Sequence, residues 1–157
     1  MRCIGVVLSK EGPVKKGYAA YRTVNVDTAD QGKLILIAYD VAIKNCKQSI
    51  KLFDSRGEIE KRTRHIFKAQ DAISELMSAL NMETGEISRN LYKLYEYIMH
   101  NLVQANVKSE KHFVSEALKH LTMLRDAWNE AIFSIKKSSD DQRGNDASTQ
   151  ESFAVTG

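Results

Sequence analysis

Glu96 precedes His100 by four residues, and Glu116 precedes His120 by four. A di-iron centre in a helix bundle uses Glu and His three apart, so that both groups turn inward. Spacing of four instead lays acid and imidazole along a helix surface as solvent-facing pairs. No Cys-x-x-Cys, no phosphate-cradling glycine loop and no Gly-x-Ser-x-Gly elbow accompanies them. Cys3 and Cys46 are too few for a disulfide framework, which makes a reduced setting the default. The basic cluster Lys61, Arg62, Arg64 and Lys68 carries no aromatic pattern typical of a base-stacking surface on its exposed face. No catalysis, metal, cofactor or nucleic-acid partner is therefore expected.

Such side chains must be carried by helices. Pro occurs once, at Pro13, and of eight Gly only Gly32 falls inside a helical pattern; these are the costly residues in helix interiors. The chain has 157 residues, 43% hydrophobic and 27% charged, with a formal net charge of +3, which suits one soluble domain with a real core. The run from Ile4 to Leu8 is too short for a signal-peptide core or a membrane span, so the protein is expected to be cytoplasmic, with no membrane insertion.

Residues 1–20 read as a flexible leader, and residues 21–26 alternate bulky and polar side chains as an extended arm. Thr28 and Gln31 form a capping-box pattern that opens a helix at about 29–53. From Leu34 to Tyr39 that helix is apolar all round, more than a one-sided amphipathic helix shows. Its inward line is Ile35, Tyr39, Ala42, Cys46 and Phe53, and a second line runs Leu36, Ile43, Ile50. The excess needs cover, either from the arm or from another molecule.

Three more helices follow. Ile59, Ile66, Ile73 and Leu80 repeat every seven residues over 58–81; Ile87, Leu91, Leu94, Tyr95, Ile98 and Leu102 stripe 86–105; Ala117, Leu121, Leu124, Trp128, Ala131 and Ile135 stripe 110–136. Thr84 and Ser109 are the expected caps of the last two. Tyr92, Tyr95 and Tyr97 cannot all face inward, which leaves Tyr92 and Tyr97 near the edges, where Tyr suits a wet binding surface. Short turns between amphipathic helices predict an all-α, antiparallel up-down four-helix bundle over 21–137. Residues 138–157 carry Asp140, Asp141, Asp146 and Glu151 with little to bury, and read as a disordered tail.

Two resemblances bear on function. His65-Ile-Phe-Lys68-Ala69 is similar to the His-x-x-Lys-Gly segment of histidine phosphotransfer domains, also four-helix bundles, with Ala in place of Gly. It implies a phosphoryl-accepting His65, against the plainer reading of a basic solvated face. The second resemblance spans all four helices. Tyr21-x-x-Val24-x-Val26-x-Thr28-Ala29, Leu34-Ile-Leu-Ile-Ala-Tyr39-Asp40, Lys68-Ala-Gln-Asp-Ala-Ile-Ser-Glu-Leu76, Glu86-Ile-Ser-Arg-Asn-Leu91-Tyr-Lys-Leu-Tyr95-Glu-Tyr97, Ala105-Asn106 and Leu124-Arg-Asp-Ala-Trp128 resemble the FliS family of flagellar export chaperones.

That resemblance implies a non-enzymatic chaperone. Its client would be the C-terminal segment of flagellin, kept from early polymerisation and handed to the flagellar type III export apparatus. A co-chaperone or export-gate components are further implied partners; the oligomeric state is left open. The expected client contacts are Tyr21, Val24, Val26, Leu36, Tyr39, Asp40, Ile43, Ile50, Tyr92 and Tyr97, with Tyr21, Val24 and Val26 as a removable lid.

Overall fold

A computed structural model of the chain describes residues 28–153. Four helices follow one another: α1 at Thr28–Leu52, α2 at Ile59–Ser78, α3 at Glu86–Lys108 and α4 at Lys111–Phe153, with one 3-10 turn at Met82–Thr84 before α3. No strand occurs among the described residues. α1 packs against α2 and α4, and α3 packs against α4 and, more thinly, α2. This is the expected all-α up-and-down bundle, with α1 and α3 diagonally opposed. The leader 1–20 and the arm with Tyr21, Val24 and Val26 lie outside the described residues.

The core follows the apolar spacing through the middle of each helix. Tyr39, Ala42 and Cys46 of α1 meet Ile66, Ala69 and Ile73 of α2, Tyr95, Ile98 and Leu102 of α3, and Val114, Ala117 and Leu121 of α4. Ser49 fills the gap in the α1 line; it is buried and donates to the Cys46 carbonyl at 2.8 Å. Burial pushes the Cys46 thiol up to about 12, so this sulfur behaves as a small apolar group.

The helix ends depart from the seven-residue repeat. Ile59 is 62% exposed and Ile87 78% exposed. On α4, Ala131 and Ile135 face solvent, and Ile132 turns inward instead. A straight helix of 3.6 residues per turn drifts about 20° per heptad from a strict sevenfold repeat, and the slide of about 40° from Ala117 to Ala131 brings Ile132 nearer the packed side than Ala131. The caps differ as well. Gly85, at φ 115°, is the residue before α3, while Thr84 closes the 3-10 turn by donating to the Asn81 carbonyl at 2.7 Å. Ser109 ends α3 in the left-handed region at φ 55° and does not start α4.

α4 does not stop at Lys136. Its backbone continues as helix to Phe153, with every side chain from Phe133 to Gln142 exposed. The expected end of this helix at about 136 is corrected accordingly. Extending a helix already nucleated adds one hydrogen bond per residue fixed. The stretch contains no Pro, and Ser138 and Ser139 bond back to the carbonyls of Ser134 and Lys136. The side chains of 138–142 are exposed.

Candidate functional site

The apolar line Leu36, Ile43, Ile50 lies along the seam between α1 and α4. Three contacts join α4 to α1 and to the turn that follows it. A Cβ placed on Gly32 would stand 2.9 Å from Cδ1 of Ile132. Arg125 Nε donates to Asp40 Oδ1 at 3.0 Å. Lys111 Nζ donates to Asp54 Oδ2 at 2.8 Å. Residues three or four apart share a helix face. Leu36 is one turn from both Gly32 and Asp40, and Ile43 follows Asp40 by three, so these two lie between residues that touch α4; Ile50 stands in the last turn of α1, before Asp54 in the turn that follows.

All three side chains of the line are half-buried. Ile43 and Ile50 pack against the core without being sealed in it, and Leu36 keeps part of its surface open. Ile37 and Val41, on the same helix, are half-buried as well. Further apolar surface is exposed at Phe67 on α2, Val103 and Val107 on α3, and Met123, Phe133 and Ile135 on α4.

Tyr39 lies elsewhere. It is 0% exposed, and its hydroxyl pairs with that of Tyr95 at 2.5 Å. Desolvation raises the pKa of Tyr39 first, and that of Tyr95 likewise; the Trp128 indole, acting as a hydrogen-bonding neighbour of Tyr39, opposes the shift. Tyr39 therefore belongs to the interior, as its place in the inward line requires, and offers no contact surface. Asp40 is exposed beside Arg125. Tyr97 is exposed and meets His120 of α4 edge-on, ring centroids 5.4 Å apart, at the α3–α4 seam. Tyr92 is half-buried on α3. The α1 line and Tyr97 thus flank the two sides of α4 and form no single furrow.

The residues with chemical potential are spoken for. His120 Nε2 stands 3.0 Å from Glu116 Oε1, the surface pair that the spacing implies. Glu96 and His100 are both exposed. No group of three His, Cys, Asp or Glu that could hold a metal ion occurs among the described residues. His65 Nδ1 is 2.8 Å from Asn45 Oδ1, and the Asn45 amide donates to the Val41 carbonyl. The imidazole is thus a strut between α2 and α1, held through Nδ1. Burial first, then Lys68, Lys61 and Arg64, lower its pKa.

The basic cluster does not form one wet face. Arg62 is buried, with its guanidinium 4.3 Å over the Phe53 ring; Arg64 pairs with Glu60 at 2.9 Å and Lys61 with Glu58 at 3.7 Å. Phe67, by contrast, is exposed beside them, a single ring and not an interleaved pattern. Gly32, Arg125 and Ile132 also escaped notice as contact residues. A lone Gly in a Gly-poor helix was the available signal of close approach.

No helix among the described residues is long and apolar enough to cross a membrane. The chain matches the family model described as flagellar protein FliS over residues 14–135. Among curated relatives, the flagellar secretion chaperone FliS of Bacillus subtilis is 32% identical over 124 residues, covering 79% of this chain and 92% of that protein. The Vibrio cholerae flagellar secretion chaperone FliS is 29% identical over 71% of this chain and 85% of its own length. That of Salmonella typhimurium is 29% identical over 73% and 88% respectively. The match runs unbroken from ahead of α1 into α4 and takes in nearly the whole length of the relatives, and the chain therefore belongs to the FliS family of flagellar secretion chaperones.

Proposed function

We propose that this bundle binds the C-terminal segment of flagellin in the cytoplasm, holds it back from polymerising, and delivers it to the flagellar type III export apparatus. The observation that carries this reading is the half-open line Leu36, Ile43, Ile50 beside a core that is already filled without it. An amphipathic helix laid in an apolar groove is an established mode of recognition. A client disordered beforehand folds as it binds and covers a large surface at moderate net affinity. Asp40 on α1 and Tyr97 on the far side of α4 extend the contact surface, so the client wraps around α4, and the half-buried Tyr92 of α3 adds to it. Tyr21, Val24 and Val26, directly ahead of α1, compete for the same surface as a removable cover. The work is binding alone and needs no cofactor.

Titration with a peptide from a flagellin C-terminus tests this. A saturable gain of helical circular dichroism, with a complex on gel filtration, is the expected result; no helix gain and no complex would end the proposal. Deleting the residues before Thr28 is expected to raise peptide affinity. A fall in affinity, with the bundle still folded, would reject the cover.

A further inference from the structure

At the end of the bundle where α1 turns into α2 and α3 into α4, a cation lies buried without a counter-charge among the described residues. Arg62 is 5% exposed. One terminal nitrogen donates to Ser109 Oγ at 3.2 Å, the guanidinium stacks on Phe53, and its buried Nε–H has no partner among the described residues. Asn106 Oδ1, one turn before Ser109 on α3, is also buried and without a partner. The nearby acids are engaged elsewhere: Asp54 with Lys111 at 2.8 Å, Glu58 with Lys61 at 3.7 Å, and Glu110 with His112 at 3.1 Å.

Arginine is almost never fully buried unless paired, because an uncompensated charge in the interior is costly. A hydroxyl and a π face reduce that cost but bring no negative charge. The planar guanidinium presents donors in a fixed fork that matches the oxygens of a carboxylate or a phosphate. The Ser109 hydroxyl accepts from Arg62 and keeps its own proton to donate. Ser109, at the connection between α3 and α4, is itself exposed, while the Arg62 Nε–H beside it is buried. We propose that Arg62, with Ser109, is an oxyanion-binding site at the junction of α1, α2 and the α3–α4 connection. It takes a carboxylate or phosphate group as the missing counter-charge.

The test is thermal unfolding of the full chain in sodium phosphate, sodium acetate and sodium chloride at equal ionic strength, for the unaltered protein and for Arg62→Gln. The expected result is a saturable upward shift of the midpoint with phosphate or acetate that the variant loses. The general stabilisation given by phosphate as an excluded salt does not saturate and is shared by both proteins. In parallel, the Arg62 Nε–H resonance of the unaltered protein is followed through the same titrations, which keeps the test decisive if the variant does not fold. A response to phosphate alone assigns the site to phosphate groups, and a response to acetate assigns it to carboxylates. A midpoint and a resonance that follow ionic strength alone, alike in all three salts, overturn the proposal and leave a position filled by water. Flagellin binding is a separate measurement and stands or falls independently.

Discussion

Asp40 of α1 and Arg125 of α4 are joined at 3.0 Å, Oδ1 to Nε, within the apolar line that passes from Leu36 to Ile43. The pair bridges the seam on its outer side, with Asp40 exposed and Arg125 about a third exposed. An exposed ion pair of this kind contributes about 0–1 kcal/mol. It orients the seam more than it stabilises it, and the open apolar surface beside it is the larger reserve of binding energy.

Leu36→Asp and Ile43→Asp should each weaken flagellin-peptide binding about tenfold or more, since an apolar anchor in an interface contributes ~1.4 kcal/mol or above. Because both side chains are already partly wetted, the fold should survive. Arg125→Ala serves as the control and should change stability by less than about 1 kcal/mol. Peptide titration alongside urea unfolding separates the two effects. Unfolded Asp variants would mean that these positions are core.

Gly32 sets how closely α1 approaches α4, since its missing Cβ is the space that Ile132 occupies. Gly32→Ala sets a helix-propensity gain of about 0.5–1 kcal/mol against a contact with the movable end of Ile132, and should be close to neutral. Gly32→Leu cannot be absorbed that way and should cost roughly 1–3 kcal/mol by overpacking. Denaturant midpoints of the two variants check this; a Leu variant as stable as the Ala one would show that the helix ends are free to part.

The middle of the bundle was legible in the sequence because seven-residue spacing and inward packing coincide there, as at Ile66, Ile73, Ile98 and Leu121. The ends were not, because periodicity is silent on drift: nothing in Ala131 and Ile135 says that Ile132 will replace them. Burial of Arg62 was hidden in the same way, since a charge next to Lys61 and Arg64 reads as surface until Phe53 is seen beneath it. Tyr39 was legible in two incompatible ways, as an inward residue and as part of a family motif, and the packing settles it in favour of the interior. The helical extension to Phe153 was missed because composition measures what a segment can bury, not whether its backbone can continue a turn already formed.

The hydroxyls of Tyr39 and Tyr95 satisfy each other in the core. Tyr39→Phe removes one partner and strands the other, which should cost about 1–3 kcal/mol. The double change of Tyr39 and Tyr95 to Phe should cost less than the sum of the single changes, because neither tyrosine hydroxyl is left facing a missing partner. Trp128→Ala, beside this pair, should cost about 3 kcal/mol, the low end for a large aromatic, since Trp128 is only half-buried. A double-mutant cycle by urea unfolding measures the coupling, and strict additivity would mean that the bond contributes nothing.

The strut from His65 to Asn45 gives the bundle a pH dependence whose sign can be worked out. Burial, with Lys68, Lys61 and Arg64 nearby, holds the folded His65 below its ordinary 6.5. The folded chain then binds fewer protons than the unfolded chain between those two values, and stability rises with pH wherever the unfolded state binds more. The contribution is fully present above about 6.5 and is lost as pH falls toward the folded value. Neutral imidazole donates its Nδ1 proton to Asn45 Oδ1, whose own amide is committed to Val41. His65→Gln keeps a donor for that oxygen and removes the titration, so urea midpoints taken from about pH 8 to about pH 5 should fall less in the variant than in the unaltered protein. Parallel curves would show that His65 titrates alike in both states and that the strut is indifferent to its proton.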